Sequence, residues 1–148
     1  MRQRIVLGVL AIGIAGLYVE LLVLTIGVAA SLPPPSWWSH VFPTHVSSAI
    51  LWMVLCHTTA ILVVALPFAY LIARLYGRVA VLLALAITFA LYAVDPLPTL
   101  ISHFGGFSAH MKVITLVDAL KLLGVLPGLV WLFGRMTSNN RFERSRER

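Results

Sequence analysis

The stretch IVLGVLAIGIAGLYVELLVLTIGVAA, residues 5–30, is predominantly apolar, and its one charged side chain is Glu20. As an α-helix it rises ~39 Å at 1.5 Å per residue, more than the ~30 Å hydrocarbon thickness of a bilayer. A secretory signal needs an apolar region of only about 7–15 residues, so we interpret this stretch as an uncleaved anchor. It predicts a helix that crosses a membrane.

The rest of the chain has the same composition. The 148 residues are 60% hydrophobic and 11% charged, whereas soluble domains are about half apolar and about a quarter charged. The predicted fold is therefore an all-α integral membrane protein, a four-transmembrane-helix antiparallel bundle within residues 1–136. Its predicted spans are residues 5–30, 46–73, 79–94 and 111–134. Residues 137–148 are too polar to pack in a core, and we expect them to form an unstructured basic cytoplasmic tail.

The positions of the basic residues predict the orientation. Nine of the eleven Lys and Arg residues lie at the N-terminus, in the short second loop or in the tail: Arg2, Arg4, Arg74, Arg78, Arg135, Arg141, Arg144, Arg146 and Arg148. Cytoplasmic segments of membrane proteins are enriched in such residues. We therefore expect the chain to lie in the inner membrane of a bacterial cell, with both termini in the cytoplasm. We interpret the net charge of +6 as a signal of this topology and not of nucleic-acid binding.

The first outer loop, SLPPPSWWSHVFPTH at residues 31–45, is rich in proline and tryptophan. Consecutive prolines favour an extended polyproline II backbone. Tryptophan side chains partition to the headgroup layer, so Trp37 and Trp38, together with Trp131 in the last span, are predicted interface anchors. We interpret the loop as a stiff connector lying at the membrane surface.

Small residues mark one face of the first span. Gly13, Gly16, Glu20 and Gly27 fall within an arc of about 60° at 100° per residue. Small residues let helix backbones approach closely in lipid. We therefore predict that these glycines form a packing face and that Glu20 points into the protein.

Polar side chains of all four predicted spans form a candidate buried layer. Glu20, His57, Thr88 and Lys121 fall near the midpoints of their spans, and Asp118 lies one turn further out. The layer contains two acids and one base, which leaves one negative charge unmatched. A protonated His57 or a neutral carboxyl group would make the layer electrically neutral. We predict that Lys121 reaches toward Glu20 and that Asp118 is the more exposed member of its pair with Lys121.

A second constellation lies in the outer loops, where imidazole and carboxylate groups would suit Zn²⁺ or Cu²⁺. It comprises His40, His45, His103, His110 and Asp95. The spacings between these histidines match no compact metal motif, so this metal site is a minor alternative. No enzyme signature is present, such as a phosphate-binding loop or a zinc-protease motif, and we predict a non-enzymatic protein without a cofactor.

These observations favour a small membrane subunit or scaffold whose buried polar layer fixes helix packing. We expect the chain to contact the lipid bilayer and to associate with either a second copy of itself or another membrane subunit. The alternative is a proton- or cation-coupled transporter of a small solute that acts as an oligomer, because intramembrane ionisable residues often mark transport pathways. The chain resembles small multidrug-resistance transporters, which also have four spans, in carrying a glutamate, Glu20, in its first span. It differs from these transporters in its length and in its long first loop. A holin-like protein is a further alternative.

Overall fold

The computed structural model describes residues 2–42, 45–94, 96–106 and 109–146, and within these ranges all regular structure is helical. Two short 3₁₀ turns, Gly77–Val79 and Phe104–Gly106, separate neighbouring helices. The α-helices are α1 (Arg2–Ser31), α2 (Ser36–Val41), α3 (His45–Tyr76), α4 (Ala80–Val94), α5 (Pro96–His103) and α6 (Ala109–Arg146).

Three stretches of the described chain are long and apolar enough to cross a membrane: Ile5–Ser31, Ser48–Val94 and Lys112–Thr137. The second stretch contains most of α3, the Gly77–Val79 turn and α4. Gly77 has a φ of +50°, a backbone conformation that residues with a Cβ rarely adopt. The chain changes direction at this turn, because α4 packs against α6 and contacts α3 and α1.

Helices α1 and α3 are antiparallel neighbours, and a hydrogen bond at each end fixes their register. The Tyr76 hydroxyl donates to the carbonyl of Leu7 at 2.8 Å. At the opposite end the Trp52 indole Nε1 donates to the carbonyl of Leu32 at 3.0 Å. Helix α3 also packs along α6, and α6 along α4, so α3 and α6 are the central helices.

The core combines large side chains with alanines that allow close approach of the helices. Ala65, Ala69 and Ala84 are fully buried, with no exposed surface. Small residues at helix contacts are typical of helices that associate in lipid, where close packing is a main driving force. The largest fully buried side chains are Tyr18, Leu22, Ile72, Leu126, Val130 and Thr88.

The four predicted spans overlap α1, α3, α4 and α6. Because α3, the turn and α4 lie within one of the three stretches long enough to cross a membrane, the number of four spans stays a prediction. In the first loop Pro35 is extended at φ −66° and ψ 154°, as polyproline II requires, but a short helix, α2, follows it. Helix α6 continues to Arg146, where the sequence predicts an unstructured tail. No proline or glycine follows Gly134, so no residue there forces the helix to end.

Candidate functional site

The buried face of α1 carries its bulky side chains. Ile14, Tyr18 and Leu22 follow one another at intervals of four residues, and Tyr18 and Leu22 are almost completely buried. The Tyr18 ring meets the edge of the Phe68 ring of α3, with centroids 5.4 Å apart. These side chains bury far more apolar area than glycines would, so they determine which side of α1 faces α3.

The opposite side of α1 is exposed and carries Gly13, Gly16, Glu20 and Gly27, here called the glycine face. A Cβ atom added to any of the three glycines would have nothing within 4 Å. The expectation that this face packs inside the chain and buries Glu20 is therefore wrong for the described structure. The reason is that α1 is apolar on nearly every side, so the positions of its glycines do not determine which side is buried.

Glu20 lies near the middle of the bundle's length. It is about 20 Å along α1 from Leu7 and about 18 Å from Leu32, the two residues whose carbonyls accept the α3 hydrogen bonds. Its side chain is exposed, and within the described residues it has no hydrogen-bond or ion-pair partner. An acid thus projects from the centre of an apolar helix toward the surroundings.

Lys121 is bound to a neighbour on its own helix and not to Glu20. Its Nζ atom lies 2.9 Å from Oδ1 of Asp118, and the exposed fractions of the two side chains are 16% for Lys121 and 36% for Asp118. Asp118 is the more exposed of the pair, as predicted. The predicted contact between Lys121 and Glu20 is not formed, since α1 packs on α3 while α6 lies beyond it. The pair neutralises its own charge locally.

His57 and Thr88 do not join Glu20 in one layer. By the two α1–α3 hydrogen bonds, Glu20 lies opposite residues 63–64 of α3, so His57 is ~10 Å further along the helix. The His57 Nε2 atom is buried and has no hydrogen-bond partner among the described residues. The hydroxyl of Thr88 donates within its own helix, to the carbonyls of Ala84 at 3.1 Å and Leu85 at 3.2 Å.

The Tyr18 hydroxyl is a feature that sequence reasoning missed. It is buried in the core without a hydrogen-bond partner in the described part of the chain, although Tyr hydroxyls are usually paired when buried. The available signal was the position of Tyr18, which lies on the side of α1 opposite the glycines. A tyrosine on the bulky side of an apolar helix predicts a buried ring.

The tryptophans differ in their surroundings. Trp38 is buried, its Nε1 atom donates to the carbonyl of Ser48 at 3.0 Å, and its ring contacts that of Trp52. Trp38 therefore holds the first loop against α3. Trp37 and Trp131 are both more than half exposed, and the Arg135 guanidinium lies 4.6 Å from the centre of the Trp131 ring.

The outer histidines are only partly described. His40 is exposed on α2. Asp95 and the side chains of His45, His103 and His110 lie outside what the structure describes. Among the residues searched, no group of three or more His, Cys, Asp or Glu side chains could hold a metal ion. The metal site therefore stays a prediction.

These features define a helical, strongly apolar chain of the membrane class. Its first helix carries an acid on its outer surface that has no partner among the described residues. No protein-family model, curated protein or solved structure matches this chain.

Proposed function

We propose that this protein is a non-enzymatic membrane subunit or scaffold, and that the glycine face of α1 is where another transmembrane protein docks. The observation that carries this proposal is Glu20, which is exposed at the middle of an apolar helix and has no partner within the described part of the chain. The earlier hypothesis of a polar layer buried within one chain is replaced by an interface between two chains.

The physical argument rests on the cost of an acid in lipid. A charged side chain at the centre of a bilayer costs roughly 3 kcal/mol on insertion scales. A helix that presents a cation or a hydroxyl to Glu20 would recover that cost. The three glycines flank Glu20 along the helix and leave open space, so a partner backbone can approach closely.

The occupant of this face is a different protein and not a second copy. A symmetric dimer places the same surface patch on both subunits, so Glu20 of one copy would face Glu20 of the other. The basic side chain nearest mid-span, Lys121, is 16% exposed and already bonded to Asp118. We therefore expect the partner helix to contribute a Lys, Arg, His, Ser or Thr side chain near its midpoint.

The proposal includes a membrane arrangement. Helices α1, α3, α4 and α6 are four spans of a bacterial inner membrane protein, with the Gly77–Val79 turn and both termini in the cytoplasm. The distribution of arginines supports this orientation, and the packing of α4 against α6 supports a span that ends at the turn.

The test is the mass of the intact assembly released from native membranes in a mild detergent. Wild type is expected in a complex heavier than the 16.2 kDa chain and containing one further transmembrane protein. Glu20→Leu is expected to release the chain as a monomer, because it removes the acid that the partner binds. The matched control is Phe89→Leu on α4, where the exposed side chain carries no charge.

Three outcomes would contradict the proposal. One is a wild-type chain that is monomeric or forms only homo-oligomers. Another is a complex that survives Glu20→Leu unchanged. The third is a proton-linked solute flux in vesicles that contain the purified chain alone. If Glu20→Gln abolished this flux, the result would support the transporter alternative.

A further inference from the structure

A groove lies between α1 and the start of α4, beside the Gly77–Val79 turn. It is an open surface depression with a volume of about 470 Å³. Its lining residues are Leu7, Gly8, Ala11, Tyr76, Val79, Leu82 and Leu83.

Small residues of α1 leave the groove open. Gly8 and Ala11 lie one helical turn apart, and a Cβ added to Gly8 would have nothing within 4 Å. The one side-chain polar group of the lining, the Tyr76 hydroxyl, already donates to the carbonyl of Leu7. The lining therefore offers a ligand apolar contact only, which suits a hydrocarbon chain.

A basic residue lies at the end of this groove. Arg78 is exposed and directly precedes Val79 of the lining. Arg74, in the last turn of α3, lies on a different side: it donates to the Tyr70 hydroxyl at 3.5 Å, and the Tyr70 ring contacts Phe133 of α6. The apolar groove thus ends beside one positive charge, that of Arg78.

We propose that this groove binds an anionic phospholipid, with one acyl chain along Gly8 and Ala11 and the phosphate near Arg78. Basic pockets between transmembrane helices at the cytoplasmic side are suited to anionic headgroups. Charge complementarity selects an anionic lipid over a neutral one, and the apolar lining excludes free phosphate. This site is separate from the glycine face. It rests on the membrane arrangement of the proposed function, but it does not depend on the docking of a partner protein.

The test is lipid binding by the purified full chain in detergent, measured by native mass spectrometry. Phosphatidylglycerol and phosphatidylcholine with identical acyl chains are titrated in parallel. We expect wild type to bind phosphatidylglycerol about fivefold more tightly, the preference that one base near the headgroup provides. Arg78→Gln is expected to remove this preference, whereas Arg135→Gln, which removes a base from α6, is expected to keep it.

A variant that fills the groove distinguishes lipid binding at this site from a general attraction of lipid to the protein surface. Gly8→Leu is expected to weaken binding of both lipids at least fivefold, because the added side chain occupies the acyl position. Gly124→Leu is the matched control, since a Cβ at that exposed glycine also meets nothing within 4 Å. Equal binding of the two lipids by wild type, or equal effects of Gly8→Leu and Gly124→Leu, would overturn the proposal.

Discussion

At the residue scale, four polar side chains in this apolar chain are held in three different ways. Lys121 and Asp118 form a local ion pair, Thr88 donates to carbonyls of its own helix, and Glu20 projects outward without a partner among the described residues. Of these four side chains, Glu20 is the one that needs a group from outside the described residues. For this reason we assign it, and not the Lys121–Asp118 pair, to an interface.

The Lys121–Asp118 pair is expected to act as a unit. Lys121→Met and Asp118→Asn should each lower the free energy of unfolding, and the double variant should lose less than the sum of the two. We expect a coupling free energy of about 1 kcal/mol, since Asp118 is partly exposed. Thermal unfolding in detergent, monitored by circular dichroism, measures this coupling free energy. If the effects of the two single variants on the free energy of unfolding were additive, the result would contradict the pairing.

The buried hydroxyl of Tyr18 gives a second prediction at this scale. Tyr18→Phe removes a hydroxyl that has no partner among the described residues, so the variant should be as stable as wild type or more stable. Tyr76→Phe is the matched control, because it removes the hydrogen bond to Leu7 and should cost about 1 kcal/mol. A larger loss for Tyr18→Phe than for Tyr76→Phe in the same unfolding assay would contradict this account.

At the element scale, helix positions follow from the sequence much better than helix faces do. A long run of apolar residues predicts a helix, and each of the four predicted spans overlaps a helix of the structure. The buried side of a nearly uniformly apolar helix depends on its neighbours, and here Tyr18 and Leu22 are buried while Gly13 and Gly16 are exposed. The arrangement of the polar groups was therefore not predictable from one helix at a time.

The packing of α4 can be tested within that one helix. Ala84 is fully buried and Ala86, half a turn away, is exposed. Ala84→Leu should lower the free energy of unfolding by about 1–3 kcal/mol, because the added carbons overfill a packed contact. Ala86→Leu adds the same volume on the outer side and should change stability by less than about 0.5 kcal/mol. Equal effects in thermal unfolding would show that α4 is not packed as described.

At the scale of the whole molecule, the proposed arrangement of four spans puts both chain ends on one side of the membrane. An odd number of spans would put them on opposite sides. Single cysteines introduced into a Cys56→Ala background can report the side, at positions that are exposed in the structure: Leu32, Arg78, Gly105 and Met136.

We expect a membrane-impermeant maleimide to label Leu32→Cys and Gly105→Cys in intact spheroplasts. Arg78→Cys and Met136→Cys should react only in inverted vesicles, because the positive-inside rule places the turn and the end of α6 in the cytoplasm. Labelling of Arg78→Cys and Met136→Cys from opposite sides would contradict the four-span arrangement.

The central claim, that a different membrane protein covers the glycine face, is tested most directly by site-specific photocrosslinking in native membranes. A photoreactive residue at Gly16, beside Glu20, should give one heteromeric product whose partner helix carries a basic or hydroxyl side chain near its midpoint. The product should disappear in Glu20→Leu, and the same probe at the exposed Phe89 of α4 should not form it. Crosslinks to lipid alone at Gly16, or a product of two copies of this chain, would contradict the claim.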